Sequence, residues 1–242
     1  RQDWRLDRGD VHYLKLGYDV RRQDVSYDYV SEQRLYFRDS AGTVRSRLDT
    51  TDVTRGLQST SVGMYAADRI RITDPVTAEV GLRYDTAGHT HDDLWSPRFN
   101  VVYQLASQSF LRAGWGRFYQ TQGIDQLEVA EGEREFHKAE LAEHTVLGLE
   151  HLFSNDIHLR LEAYRKDLSS LRPEYRNWRN DIEFFPELQD DRIRVALDGA
   201  RSHGVEFYLK RDSGGPFTWW ASYAMAQVDD DVSTITAHGS DF

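Results

Sequence analysis

The stretch HTHDD brings together His89, His91, Asp92 and Asp93, and alternate histidines on an extended segment can share one metal ion through their ring nitrogens. Coordination also needs a third ligand and groups that orient the rings, so a solvated loop tip is the expectation here. A second cluster, EVAEGEREFHK, holds Glu128, Glu131, Glu133, Glu135 and His137. Paired carboxylates do acid and base work when their environments drive their pKa values apart. On a long charged connection these residues are expected to form a solvated face instead. No G-x-x-x-x-G-K-S/T loop, G-x-S-x-G elbow or H-E-x-x-H helix occurs. No catalytic residue, no metal site and no cofactor is therefore expected. The stretch RPEYRNWRND combines Arg172, Tyr175, Arg176, Trp178 and Arg179, a mixture suited to stacking and to holding anionic groups. These five are the candidate ligand-binding residues, with a loop packed against its neighbours as the alternative.

The elements that position these stretches follow from alternation. In VTAEVGLRYD (76–85) Val76, Ala78, Val80, Leu82 and Tyr84 share one face of a strand, and Thr77, Glu79, Gly81, Arg83 and Asp85 share the other. The same pattern recurs over 11–22, 62–72, 98–105, 110–119, 145–153, 157–168, 203–211 and 217–227, giving about nine strands. Several have the roughly 9 to 11 residues that a tilted strand needs to cross a bilayer. The spacing of amphipathic helices is absent.

The connections alternate in length. TDPV (73–76), ASQS (106–109), SND (154–156) and DSGGP (212–216) are short and rich in turn formers. The segments 23–60, 86–96, 120–143, 169–201 and the tail after Val228 are long. In an up-and-down antiparallel sheet this puts every short turn at one end and every long loop at the other, the asymmetry of bacterial outer-membrane barrels. Compact soluble domains rarely hold several long irregular loops. Tyr18, Tyr84, Trp95, Trp115, Tyr119, Phe153, Phe217 and Trp219 lie near strand ends, where interface girdles collect aromatic rings. Gly17, Gly81, Gly114, Gly116, Gly148 and Gly204 fall on the polar faces, which suits a crowded or filled lumen.

Composition removes several classes. With a formal net charge of -10 the chain is no nucleic-acid groove. No apolar run is long enough for a transmembrane helix, although half-polar barrel strands would leave no such signal. Cysteine is absent, so no disulfide framework exists. The chain starts at Arg1 without a leader and reads as a piece of a longer protein.

Three runs, GMYAADRIRITDPVTAEVGLRYD with WSPRFNVVYQL and FLRAGWGRFYQ, LGLEHLFSNDIHLRLEAYRKDLSSLRPEYRN, and SHGVEFYLKRDSGGPFTWWASYA, together resemble the barrel of TonB-dependent outer-membrane receptors. The resemblance implies an antiparallel barrel of roughly 22 strands around a plug, of which residues 1–242 would be a middle part, with plug and C-terminal strands elsewhere. It implies a bacterial outer-membrane receptor that takes up a scarce nutrient of the siderophore, cobalamin, haem or glycan class. The implied partners are membrane lipid, a small nutrient ligand, and the TonB complex acting through the plug. DDDVSTITAHGSDF lacks the alternation of a final strand and is expected to open another loop. In this reading Leu14, Leu16, Val80, Leu82, Val101, Leu159, Leu161, Phe207 and Leu209 face lipid. Lys15, Glu79, Arg83, Arg98, Arg112, Glu150, Arg160, Glu162 and Glu206 face the lumen. Two alternatives share the alternation: a passive porin or structural barrel, and a soluble all-β carbohydrate-binding or hydrolase domain with its apolar faces packed together.

Overall fold

The period-two pattern of VTAEVGLRYD becomes strand β4 (Val76–Ala87), and backbone pairing carries its two faces across the chain. The computed structural model describes residues 1–154, 156–179, 184–189, 191–211 and 217–237, the side chain of Phe37 excepted. Among these residues all eleven strands belong to one sheet. The others are β1 (Gln2–Arg8), β2 (His12–Arg38), β3 (Val44–Thr73), β5 (Asp92–Ala106), β6 (Ser109–Gln120), β7 (Glu140–Leu152), β8 (Ile157–Ser169), β9 (Glu174–Asn177), β10 (Arg192–Arg211) and β11 (Trp219–Ala237). Neighbours in sequence are antiparallel neighbours in space, except that β8 pairs with β10, on whose start the short β9 also lies.

Residues paired across an antiparallel ladder share a face, so the register tests the assignment of sides. Leu14, Asp68, Val80 and Phe99 form one row, Leu16, Ala66, Leu82 and Pro97 the next. Val101 pairs with Ala78, Leu161 with Phe207, and Leu159 with Leu209. The nine residues assigned to lipid in the sequence reading thus share one face of the sheet. The nine expected on the polar face occupy the other: Lys15 joins a row through Ala67 and Gly81 to Arg98, and Arg112 one through Gly148 and Glu162 to Glu206. Among the described residues the apolar face has no second layer: Val80, Phe99, Leu147 and Val205 stay about half exposed.

The polar face is concave and crowded. A cavity of about 670 Å³ lies against Arg98, Asn100, Arg112, Gly114, Gly116 and Gly148. Arg83 Nη2 reaches Asp85 Oδ1 at 2.5 Å and Asp19 Oδ1, two strands away, at 3.2 Å. It crosses β3 over Gly63, where a Cβ would collide with its guanidinium. Lys15 pairs with Glu79 at 3.6 Å, Arg112 with Glu150 at 2.9 Å, Arg160 with Glu162, and Arg98 stacks on Phe118.

Several boundaries differ from the sequence reading. The supposed loop 23–60 is mostly strand: β2 and β3 run 27 and 30 residues and pair without a register break up to a tip at 39–43. Beyond the partners of β4 this ribbon packs one face, with Tyr27, Val53 and Ser59, on the connection 121–139 and leaves the other to solvent, and its covered face mixes polar with apolar residues instead of the continuous apolar set that reveals a half-buried strand. The supposed loop 86–96 shrinks to the turn 88–91, because Asp92–Trp95 continue the ladder with Tyr84–Ala87. The tail after Val228 continues β11 to Ala237 with outward and inward polar side chains. Strands β1 and β9 were not anticipated, which takes the count from about nine to eleven. The proposed turn 212–216 and Phe242 lie outside the described residues.

The alternation of connections survives in part, since the turn 88–91, at the end of the long connections, is as short as 153–156. The breaks at 9–11, 74–75, 107–108 and 153–156 are short, while 121–139 and 170–191 and the ribbon tip lie at the opposite end.

Candidate ligand cleft

The connection 121–139 is not an open loop. Ile124, Leu127 and Ala139 are buried in it. Buried Gln122 ties it together, donating from Nε2 to the Gln126 carbonyl at 2.6 Å and accepting from the His137 amide at 2.8 Å. A 3-10 turn, Val129–Glu131, ends at Gly132, whose φ of 80° a side-chain-bearing residue rarely adopts. The ribbon clasps this connection from one side. Tyr27 Oη donates to the Ile124 carbonyl at 2.7 Å and accepts from the Leu127 amide at 3.0 Å, and Arg55 donates to the Arg134 carbonyl.

The connection 170–191 folds back through β9, which pairs Asn177 with Arg192 and Tyr175 with Arg194. That pairing brings three sequence-distant groups together. Arg192 Nε donates to Glu131 Oε1 at 2.7 Å and its Nη1 to Asn177 Oδ1 at 2.7 Å. Both charged side chains are nearly buried, at 12% and 2% exposure. Beside them Tyr175 Oη donates to Glu133 Oε1 at 2.7 Å, and His137 Nε2 lies 3.1 Å from both Glu133 oxygens. Burial and the Glu133 bond push the Tyr175 phenol up to about 12. Burial, reinforced by Glu131 and Glu133, raises the Glu128 carboxyl above its ordinary value.

Between the two connections lies a cleft of about 650 Å³, a size typical of small-molecule sites. Its floor includes Leu168, Ala200 and Asp230, one register row on the concave face. Its walls carry both signs of charge. Arg172 Nε sits 3.2 Å from Glu140 Oε1, and Arg176 pairs with Glu174. Such a surface can hydrogen-bond a polar solute through guanidinium, carboxylate and phenol while Leu171 and Pro173 supply apolar contact.

The five candidate residues divide. Arg172, Tyr175 and Arg176 line the cleft. Trp178 and Arg179 do not; Trp178 is 71% exposed and both their amides bond to Asp191. The expectation of a solvated face over 128–138 is corrected for Glu131, which is buried under Arg192, and for Glu133, held by Tyr175 and His137. The expectation of a solvated tip at HTHDD is corrected too. His89 bridges Ser59 Oγ at 2.8 Å and the Gln122 carbonyl at 2.7 Å, and Asp92 is buried. A carbonyl only accepts, so Nε2 of His89 carries the proton. Among the described residues no His, Asp or Glu group has metal-binding geometry. Arg192, Asn177 and Gln122 were missed. The alternation of RIRVAL, just before the strand read at 203–211, was the available signal for the first.

The family model described as TonB dependent receptor-like, beta-barrel, matches residues 1–241. Three solved structures share the fold at low sequence identity. The FrpB iron transporter from Neisseria meningitidis is 15% identical with a TM-score of 0.63, covering 98% of this chain and 35% of that one. A mutant of the ferric enterobactin receptor PfeA from Pseudomonas aeruginosa, in complex with enterobactin, is 18% identical with a TM-score of 0.64, covering 93% and 34%. The siderophore receptor PirA from Pseudomonas aeruginosa is 14% identical with a TM-score of 0.67, covering 95% and 42%. The chain thus spans roughly a third to two fifths of the length of these proteins. No curated protein sequence matches.

Proposed function

This chain belongs to the TonB-dependent receptor β-barrel family of the bacterial outer membrane, and we propose that it is part of the wall of a receptor that binds a scarce nutrient outside the cell and admits it through a plugged lumen. The apolar face meets lipid, and the concave face, with its ion pairs and glycines, meets the plug and the passing solute. The short breaks lie in the periplasm, the long connections outside. The observation that carries the reading is the cleft between 121–139 and 170–191, open at the long-connection end and floored by the concave face. Nothing in it calls for bond-making chemistry; import proceeds by conformational gating, with energy relayed by the TonB complex to a plug beyond this chain. The ligand belongs with the siderophore, haem, cobalamin or glycan classes; among the similar structures, PirA is a siderophore receptor.

The complete receptor tests this. Replacing Arg172 and Arg176 by Ala is expected to weaken ligand binding and uptake, and collapsing the proton-motive force to stop uptake. Continued uptake without that force would leave a passive porin. Against a soluble module stands the exposure of the apolar face, which no second layer covers among the described residues.

A further inference from the structure

RPEYRNWRND reads as a stretch for holding anions, yet the fold commits its guanidinium groups to carboxylates of this chain. Glu140 Oε1 accepts from the Arg172 amide at 3.1 Å and from Arg172 Nε at 3.2 Å. Arg176 gives Nε and Nη2 to Glu174 Oε2. Arg192, which also lines the cleft, gives Nε and Nη2 to Glu131 and Nη1 to Asn177. The Tyr175 hydroxyl goes to Glu133. An anion entering here has to take a guanidinium from its carboxylate, and leaving a buried one such as Glu131 without its arginine is costly.

The carboxylates outnumber the arginines. Glu128, Glu133, Glu140, Glu174 and Asp230 line the cleft against Arg172, Arg176 and Arg192, with Glu131 beneath the last. Once the pairs are drawn, Glu128 and Asp230 are left without an ion-pair partner among the described residues. They stand on different elements: Glu128 precedes the 3-10 turn in the 121–139 wall, and Asp230 lies in the floor row beside Ala200. The upward shift of Glu128, caused by burial and then by Glu131 and Glu133, reports the same excess of negative charge. In a recess with low-dielectric walls such an excess concentrates cations and repels anions.

We propose that the cleft takes a cationic, amine-bearing ligand whose ammonium groups pair with Glu128 and Asp230, and that it refuses anionic solutes. The inference rests on the cleft being the ligand site of the receptor, as proposed above, and narrows its chemistry. Arg172 and Arg176 serve such a ligand by holding Glu140 and Glu174 in place as acceptors on the wall, so they matter to binding without touching an anion. Binding also bears on closure. A cation beside Glu128 relieves its repulsion from Glu131 and Glu133, which is a contact made only in the ordered cleft and so one that shifts the connection towards order.

The test uses the complete receptor with a nitroxide on Leu171→Cys, which lines the cleft, and paramagnetic relaxation reagents that are cationic or anionic metal complexes of similar size. At fixed ionic strength the cationic reagent is expected to collide with the label about fivefold more often than the anionic one. Asp230→Asn and Glu128→Gln should each cut that ratio by about twofold in mildly alkaline buffer. Spermidine, as a simple polyamine probe, should slow amide exchange over 121–139 by about threefold as its concentration rises, and citrate should not. Equal collision rates, a ratio untouched by the two substitutions, protection by citrate, or none by spermidine each overturn the proposal. Uptake separates it from the reading on which it rests. If uptake falls when Arg172 and Arg176 are replaced while the reagents collide equally, the cleft stays the ligand site and only the cation is wrong; if uptake ignores those replacements, the site falls and the cation with it.

Discussion

Strand β4 and the outer half of the β2–β3 ribbon have the same backbone pairing, yet one announces itself in the sequence and the other does not. β4 carries apolar residues on one face and polar residues on the other, as the proposed lipid and lumen sides require. The ribbon, 23–38 with 44–59, packs its Tyr27 face on the connection 121–139, and Val30, Tyr36 and Leu48 stand exposed on the other. Hydrogen bonding makes both into strands; only the difference between two solvents writes a pattern. The connections that the ribbon clasps depend instead on buried pairs between distant residues.

The sharpest break of that contrast is at Arg192. Changing it to Met leaves Glu131 charged, buried and without its guanidinium, at a cost of about 3–5 kcal/mol to the packing of 121–139 on 170–191. Amide exchange in both connections of the complete receptor should accelerate while β4 and β5 stay protected. Unchanged exchange would mean that the pair does not hold the cleft.

Next come two valines that differ only in surroundings. Val80→Arg, on the apolar face at mid-strand, should cost about 2–4 kcal/mol in unfolding from vesicles. Val30→Arg, on the ribbon and 64% exposed, should cost under about 0.5 kcal/mol. Equal costs would erase the distinction drawn between the two regions and the orientation with it.

How much was legible follows the same line. The two sets of nine residues, from Leu14 and Lys15 to Leu209 and Glu206, each share one face of the sheet, because one residue of phase fixes a whole strand. The extent of β2 and β3 was hidden, since in TTDVTRGLQSTS the covered side pairs Val53 with the polar Thr51 and Ser59 and so shows no apolar alternation. In the cleft, Arg172, Tyr175 and Arg176 were found by residue type, but Glu131 looked like one more solvated acid. Its partner stands 61 residues away, and only β9 brings the two together.

Where the regions meet, Gly63 sharpens the comparison. Its missing side chain lets Arg83 span from β4 to Asp19 on β2, just below the free ribbon. Leu at this site displaces the guanidinium and should cost about 1–3 kcal/mol by overpacking, whereas Leu at Gly56, where a Cβ meets nothing within 4 Å, should be almost silent. Thermal unfolding of the two variants checks this; matched midpoints would show that the crossing adds nothing.

The smallest effect belongs to Glu128. Its carboxyl is raised by burial first and then by Glu131 and Glu133, so the ordered cleft binds that proton more tightly than a loosened one does. The contribution to order is therefore complete below the ordinary carboxylate range and is lost as pH rises through the raised value. Above it the charged carboxylate opposes closure, and Glu128→Gln should tighten 121–139. Exchange protection is compared as variant minus wild type, so that pH effects shared by both proteins cancel. The difference should be near zero in acid and grow towards neutral pH; a difference that shrinks with rising pH would mean that Glu128 is held as a carboxylate by a partner in the cleft.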